Sequence, residues 1–203
     1  MLSKSIKMFV FGLITLLVIS GVFIWSGIFN ISANDKHWTI TTTLLEVIRD
    51  SSISKRSSSI QVPDLMDNKR VTTAAPNYAA MCAQCHLSPG VEKTELYEGL
   101  YPQPPVFTKS EHTKRKPEEM FWIIKNGLKM TGMPAWGRYN SDEQIWDLVA
   151  FIPKLKEMSK ERYQKLVDAG EHTHAKGGHE DMGSNDLKIV KPKKSHNDDG
   201  HKH

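Results

Sequence analysis

The pentapeptide Cys82-Ala83-Gln84-Cys85-His86 constrains this chain more than any other feature. Two thiols three positions apart lie on one helical turn, where each can form a thioether to one of the two vinyl groups of a single porphyrin. C-x-x-C-H is the attachment signature of a c-type haem. The next residue, His86, then sits beneath the iron as an axial ligand already held by two covalent tethers. Other readings of the two cysteines lack their context. A dithiol redox site calls for a surrounding βαβ pattern, whereas the flanks here carry helix signals and a proline-rich loop. A structural zinc site needs four ligands, and the chain has only 2 cysteines.

A haem that carries electrons usually takes a second axial ligand from the protein, commonly Met or His. Met133 is the candidate. It lies in Thr131-Gly132-Met133-Pro134-Ala135-Trp136-Gly137, where Gly and Pro predict a rigid non-helical loop. Met130 is the rival, and an ordinary core methionine is the alternative reading of Met133. Met81 adjoins the tethered Cys82 and is set aside. A thioether favours ferrous iron more than an imidazole does, so ligation by His86 and Met133 predicts a relatively high reduction potential.

From about Pro63 to Leu155 the chain resembles a class I c-type cytochrome domain, and it is similar to membrane-anchored bacterial monohaem cytochromes. The residues that carry the resemblance are Cys82 to His86, the segment from Phe121 to Trp136, and Asp142-Glu143-Gln144-Ile145-Trp146 at the start of a last helix. The resemblance implies a cytochrome c fold around one covalent haem c. It implies an electron-transfer protein, not an enzyme, that passes single electrons between redox partner proteins, with haem attachment in the periplasm. It further implies that Tyr78 is the aromatic of the first helix that packs on the last. One carbonyl in Pro102-Gln103-Pro104-Pro105, with Pro105 the named candidate, would accept a hydrogen bond from the His86 ring. Two other functions stay open: a haem enzyme or gas sensor with an open sixth position, and a cytochrome coupled to metal handling.

Five segments are expected. Residues 1–7 contain Lys4 and Lys7 and read as a cytoplasmic N-terminus by the positive-inside rule. Residues 8–31 are an uncharged apolar run, about 36 Å long as a helix, enough for a bilayer core of about 30 Å. It is longer than the usual apolar region of a cleaved signal, and Ile31 is a poor residue for a cleavage site. The expectation is a single-pass anchor in a bacterial inner membrane, with the haem domain on the periplasmic side. Residues 32–70 read as a juxtamembrane helix, with Ile40, Leu44, Val47 and Ile48 at helical spacing, and then a flexible linker whose stretch Ser51 to Ser59 holds six serines.

Residues 71–169 read as the haem domain with a C-terminal helical extension. Pro76 suits the first turn of the helix that runs into the haem motif. Pro117 opens a second helix, with Glu118 and Glu119 at its positive end and Gly127 closing it. Ser141 and Gln144 form a capping box for a third, whose stripe is Ile145, Leu148, Val149 and Ile152, and Pro153 should interrupt it. No strand pattern appears, so the domain is read as all-α. With about 90 residues, much of its core must come from the haem.

Charge is nearly balanced across Val71 to Lys160, with eleven Lys or Arg and ten Asp or Glu. The chain's net charge of +4, with no basic face carrying interleaved aromatics, excludes a nucleic-acid partner. Lys125, Lys129 and Arg138 bracket the Met133 loop and read either as a basic rim toward an acidic redox partner or as a plain solvated face. Residues 170–203 read as a disordered tail. It holds six of the nine histidines, His172, His174, His179, His196, His201 and His203, and is a candidate for binding copper, nickel or zinc, against a plain solvated tail.

Overall fold

The computed structural model describes residues 3–109 and 114–174, the last four by backbone only. Among them there are helices and loops and no strand. The first helix, α1 (Lys4–Trp25), starts at Ser3, whose hydroxyl accepts from the Ile6 amide. It begins earlier and stops earlier than the apolar run 8–31 implies. Ser26 caps it and Gly27 turns the chain at φ +65°, so Ile28 to Ile31, a stretch that includes the polar Asn30, lie outside the helix. Its 22 residues, about 33 Å, are long and apolar enough to cross a membrane.

The flexible linker expected across Ser51 to Ser59 is largely replaced by helix. α2 runs from Thr39 to Ser57 and packs on the helix opened by Pro117. Ile53 and Ser57 are each 1% exposed, and that burial overrides the serine-rich composition. Arg115, just before the helix opened by Pro117, reaches Asp50 of α2 at 2.7 Å.

The haem-motif helix, α3 (Asn68–Met81), starts eight residues before Pro76. Asp67 caps it by accepting from the Lys69 amide at 2.8 Å. Pro76 therefore stands inside the helix, where it has no N–H for the carbonyl four residues back and costs the helix stability. Its ring is buried against Gly170, where a Cβ would collide with it. The rest of the domain follows in order: α4 (Ala83–His86), α5 (Glu95–Gly99), α6 (Pro117–Asn126), α7 (Asp142–Phe151) and α8 (Lys160–His174). Pro117 occupies the first turn of α6, Glu118 and Glu119 follow it, and Gly127 ends the helix at φ +66°. Both hydrogen bonds of the Ser141/Gln144 capping box are formed. At Pro153 the α-helix gives way to a 3-10 stretch, Ile152–Glu157.

α3 packs across α7 and α8, and α6 packs against α7. α7 is buried on more than the stripe its sequence suggests, since Trp146 and Asp147 are covered as well. Phe121 stacks on Trp146 at 4.2 Å, and Arg70 reaches Asp147 at 2.7 Å. α8 continues to His174, so the start of the expected tail is helical and carries the backbone of His172 and His174. His179, His196, His201 and His203 lie outside the described residues.

Candidate functional site

The pentapeptide forms a single turn hung on the end of α3. Cys82 closes α3 through its amide to the Tyr78 carbonyl at 2.9 Å. Its own carbonyl then accepts from the amides of Cys85, at 3.1 Å, and His86, at 2.8 Å. Both thiols are thus on one turn, neither in a disulfide, with Cys82 buried and Cys85 half-buried. Burial, with Cys85 nearby, pushes the Cys82 thiol up to about 12, and burial raises Cys85 in the same direction.

His86 is held on two sides. Its Nδ1 lies 2.8 Å from the Pro105 carbonyl oxygen. A carbonyl only accepts, so Nδ1 carries the proton and Nε2 keeps its lone pair. Phe107 stacks on the imidazole with centroids 4.5 Å apart and planes within 15°. Burial holds the imidazolium form down, against the opposing pull of the Pro105 carbonyl, which favours a neutral ring able to bind a metal. Of the Pro102 to Pro105 segment, the carbonyl at the ring is that of Pro105.

Immediately after His86 the backbone enters a conformation unusual for a bulky residue. Leu87 has φ +62°, its side chain is 2% exposed, and its carbonyl accepts from the Tyr78 hydroxyl at 2.7 Å. Tyr78 is fully buried and lies against Phe151 of α7 at 5.5 Å and Tyr163 of α8 at 6.4 Å. One side chain therefore joins the helix pair to the turn that carries His86. The resemblance implied that Tyr78 of the first helix packs against the last, but it gave no sign of the hold on Leu87. It also missed Phe107, although an aromatic two residues beyond Pro105 was the available signal.

The loop after α6 folds back on itself. The Leu128 amide donates to the Met133 carbonyl at 3.2 Å, and the Met133 amide donates to Thr131 Oγ1 at 3.1 Å. A Cβ on Gly127 would lie 2.8 Å from the Met133 carbonyl oxygen and 2.7 Å from the Pro134 carbonyl carbon. Met133 is half-buried and packs, with Phe107, Trp136 and Ala83, on the core cluster that contains Cys82. Met130 is 87% exposed at the loop's outer edge. Of the expected basic rim, Lys125 is engaged by Asp142 at 2.6 Å and lies over Phe121, while Lys129 and Arg138 stay exposed.

The donor set fits a covalently held iron porphyrin: two unpaired thiols, a neutral imidazole with its far nitrogen unprotonated, and a thioether on the same apolar cluster. The family described as cytochrome C oxidase, cbb3-type, subunit III matches residues 69–152, a stretch that includes every one of these groups. Residues 69–152 are a c-type cytochrome domain. The domain carries covalently bound haem c and marks the chain as an electron-transfer haem protein with redox partners. Residues 1–68 and 153–203 lie outside the match, and with them α1, α2 and α8. No curated protein matches the chain.

Proposed function

We propose that the chain is a membrane-anchored monohaem cytochrome c whose iron is ligated by His86 and Met133, and that its role is electron transfer and not catalysis. The observation that carries this reading is the His86 turn. Two thiols and an imidazole lie within five residues, the imidazole oriented by Pro105 and Phe107, inside a matched cytochrome domain. Bound haem supplies one iron that gains and loses a single electron. Cys82 and Cys85 tether it through thioethers, and the Pro105 carbonyl makes the His86 imidazole more basic by accepting its Nδ1 proton. The partly buried Met133, packed on the cluster that contains Cys82, is favoured over the exposed Met130 as the second ligand.

α1 anchors the protein in a bacterial inner membrane, and Lys4 and Lys7 keep its N-terminus cytoplasmic, with the haem domain in the periplasm. Anchoring raises the effective concentration of membrane-bound donors and acceptors. The matched family's description names an oxidase, which makes a terminal oxidase the first acceptor to test.

The visible spectrum of the full chain, matured with haem, tests the ligands. The ferric protein is expected to show the weak Met-to-iron charge-transfer band, lost in Met133→Ala and kept in Met130→Ala, with haem still covalent after denaturation. Absence of the band in the unaltered protein would remove Met133 from the iron and favour an open-site enzyme or sensor.

A further inference from the structure

α2 has two faces with opposite surroundings. One carries Ile53 and Ser57, each 1% exposed, and packs on α6. The other carries Ile40, Leu44, Val47 and Ile48, respectively 76%, 59%, 58% and 56% exposed. Those four follow i, i+4, i+7 and i+8 spacing and form one stripe. Leu44 and Ile53 are about two and a half turns apart, so stripe and docked face point in opposite directions.

The docked side is fixed. Arg115 bridges to Asp50 at 2.7 Å, and just before α2 the His37 amide donates to the Tyr101 hydroxyl at 2.9 Å, with the two rings edge to face at 5.2 Å. An apolar stripe held at a set angle to the haem domain and facing water is costly unless something covers it.

We propose that lipid covers it: the outer face of α2 lies along the bilayer surface beside the end of α1, and the haem domain stands on the membrane through α2. This rests on the reading of α1 as a membrane anchor. Residues 26–38 join the two helices, a reach of about 45 Å even if fully extended, and the segment is shortened by a turn at Ser32 to Asp35 and by a bond from Asn30 to Asp35. α2 therefore starts within reach of the bilayer that α1 would cross. Trp38, 73% exposed at the start of α2, suits the headgroup layer. From Ile40 to Ile48 the stripe carries no charge, while Glu46, Arg49 and Asp50 fall toward the docked face, and Lys55 ends the outer face with a single cation. This is the pattern of an interfacial helix, with a protein domain taking the place of water on its polar side.

The test uses the full haem-loaded chain in phosphatidylcholine/phosphatidylglycerol vesicles, with nitroxides on single introduced cysteines: Leu44→Cys, Ile48→Cys, Leu16→Cys in α1 and Lys165→Cys on exposed α8. Collision with oxygen is compared with collision with a water-soluble nickel chelate. The expected oxygen-to-nickel ratio at positions 44 and 48 is several-fold above that at 165 and below that at 16. A ratio at 44 and 48 equal to that at 165, with 16 still lipid-like, would overturn the proposal and leave the anchor standing. Low collision with both probes, with spin broadening relieved by unlabelled chain, would assign the stripe to a second copy instead. A water-like ratio at 16 would overturn the anchor and the proposal together.

Discussion

Two backbone positions carry more of this site than their side chains suggest. At Leu87 a buried, bulky residue adopts φ +62°, a conformation that persists only when its surroundings enforce it. The Tyr78 hydroxyl does so through the Leu87 carbonyl. Tyr78→Phe leaves that carbonyl without its buried donor and is expected to cost about 1–2 kcal/mol in denaturant unfolding, with covalent haem retained. Gly127 faces the opposite constraint. At φ +66°, with the backbone of Met133 and Pro134 under 3 Å from where a Cβ would sit, any side chain must displace the loop. If Met133 ligates the iron as proposed, Gly127→Ala is expected to weaken the Met-to-iron band and lower the haem potential. An unchanged band would show that the loop tolerates the shift.

At the scale of elements, α2 is attached by ion pairs as well as by apolar contact. The Arg49 hydrogen bond, opposed by burial and helped by Arg115, holds the Asp50 carboxyl below its ordinary range. A depressed folded value means that the ion pairs contribute fully above the unfolded value of about 3.9 and are lost as pH falls through the folded one. Asp50 is half-exposed, so solvent screening makes the contribution small. Amide protection at Ile53 and Ser57 is expected to be flat from neutral pH to about 5 and to fall below about 4, an acid limb that Asp50→Asn should remove. Ile53→Ala, which leaves a cavity on the docked face, is expected to cost about 2–4 kcal/mol locally. It should open trypsin cleavage after Lys55 or Arg56 while the haem spectrum stays unchanged.

For the whole molecule, a thiol that would tether the haem is itself part of the core. The cluster that joins α3, α6, α7 and α8 includes Cys82 itself, with Met133, Phe107 and Trp136 packed at its margin. A group bound there would add apolar area to a small domain's core. Cys82→Ala with Cys85→Ala, expressed without attached haem, is expected to melt at least about 10 °C below the holoprotein, since each kcal/mol is worth about 4–8 °C in a domain this small. Equal melting temperatures would show that the helices pack without the cofactor.

The site was legible wherever its signal was local. A five-residue attachment motif, Pro117 and Gly127 around α6, and the Ser141/Gln144 box each act within one helical turn, so short stretches of sequence carry them whole. What required the fold was decided over longer distances. Pro76 looked like a helix start because a missing N–H is harmless there, yet Asp67 starts the helix and packing against Gly170 keeps the proline inside it. The serines from Ser51 looked like a linker because composition records solvation and not contact, whereas in the fold they continue α2, with Ile53 and Ser57 buried where α2 meets α6. The hold of Tyr78 on Leu87 and of Phe107 on His86 belongs to the same class. By itself the sequence determined which atoms can bind the haem, because thioether and imidazole chemistry belong to individual residues. The tertiary structure alone decided how those atoms are held and which face of α2 is left uncovered, because burial depends on residues distant along the chain.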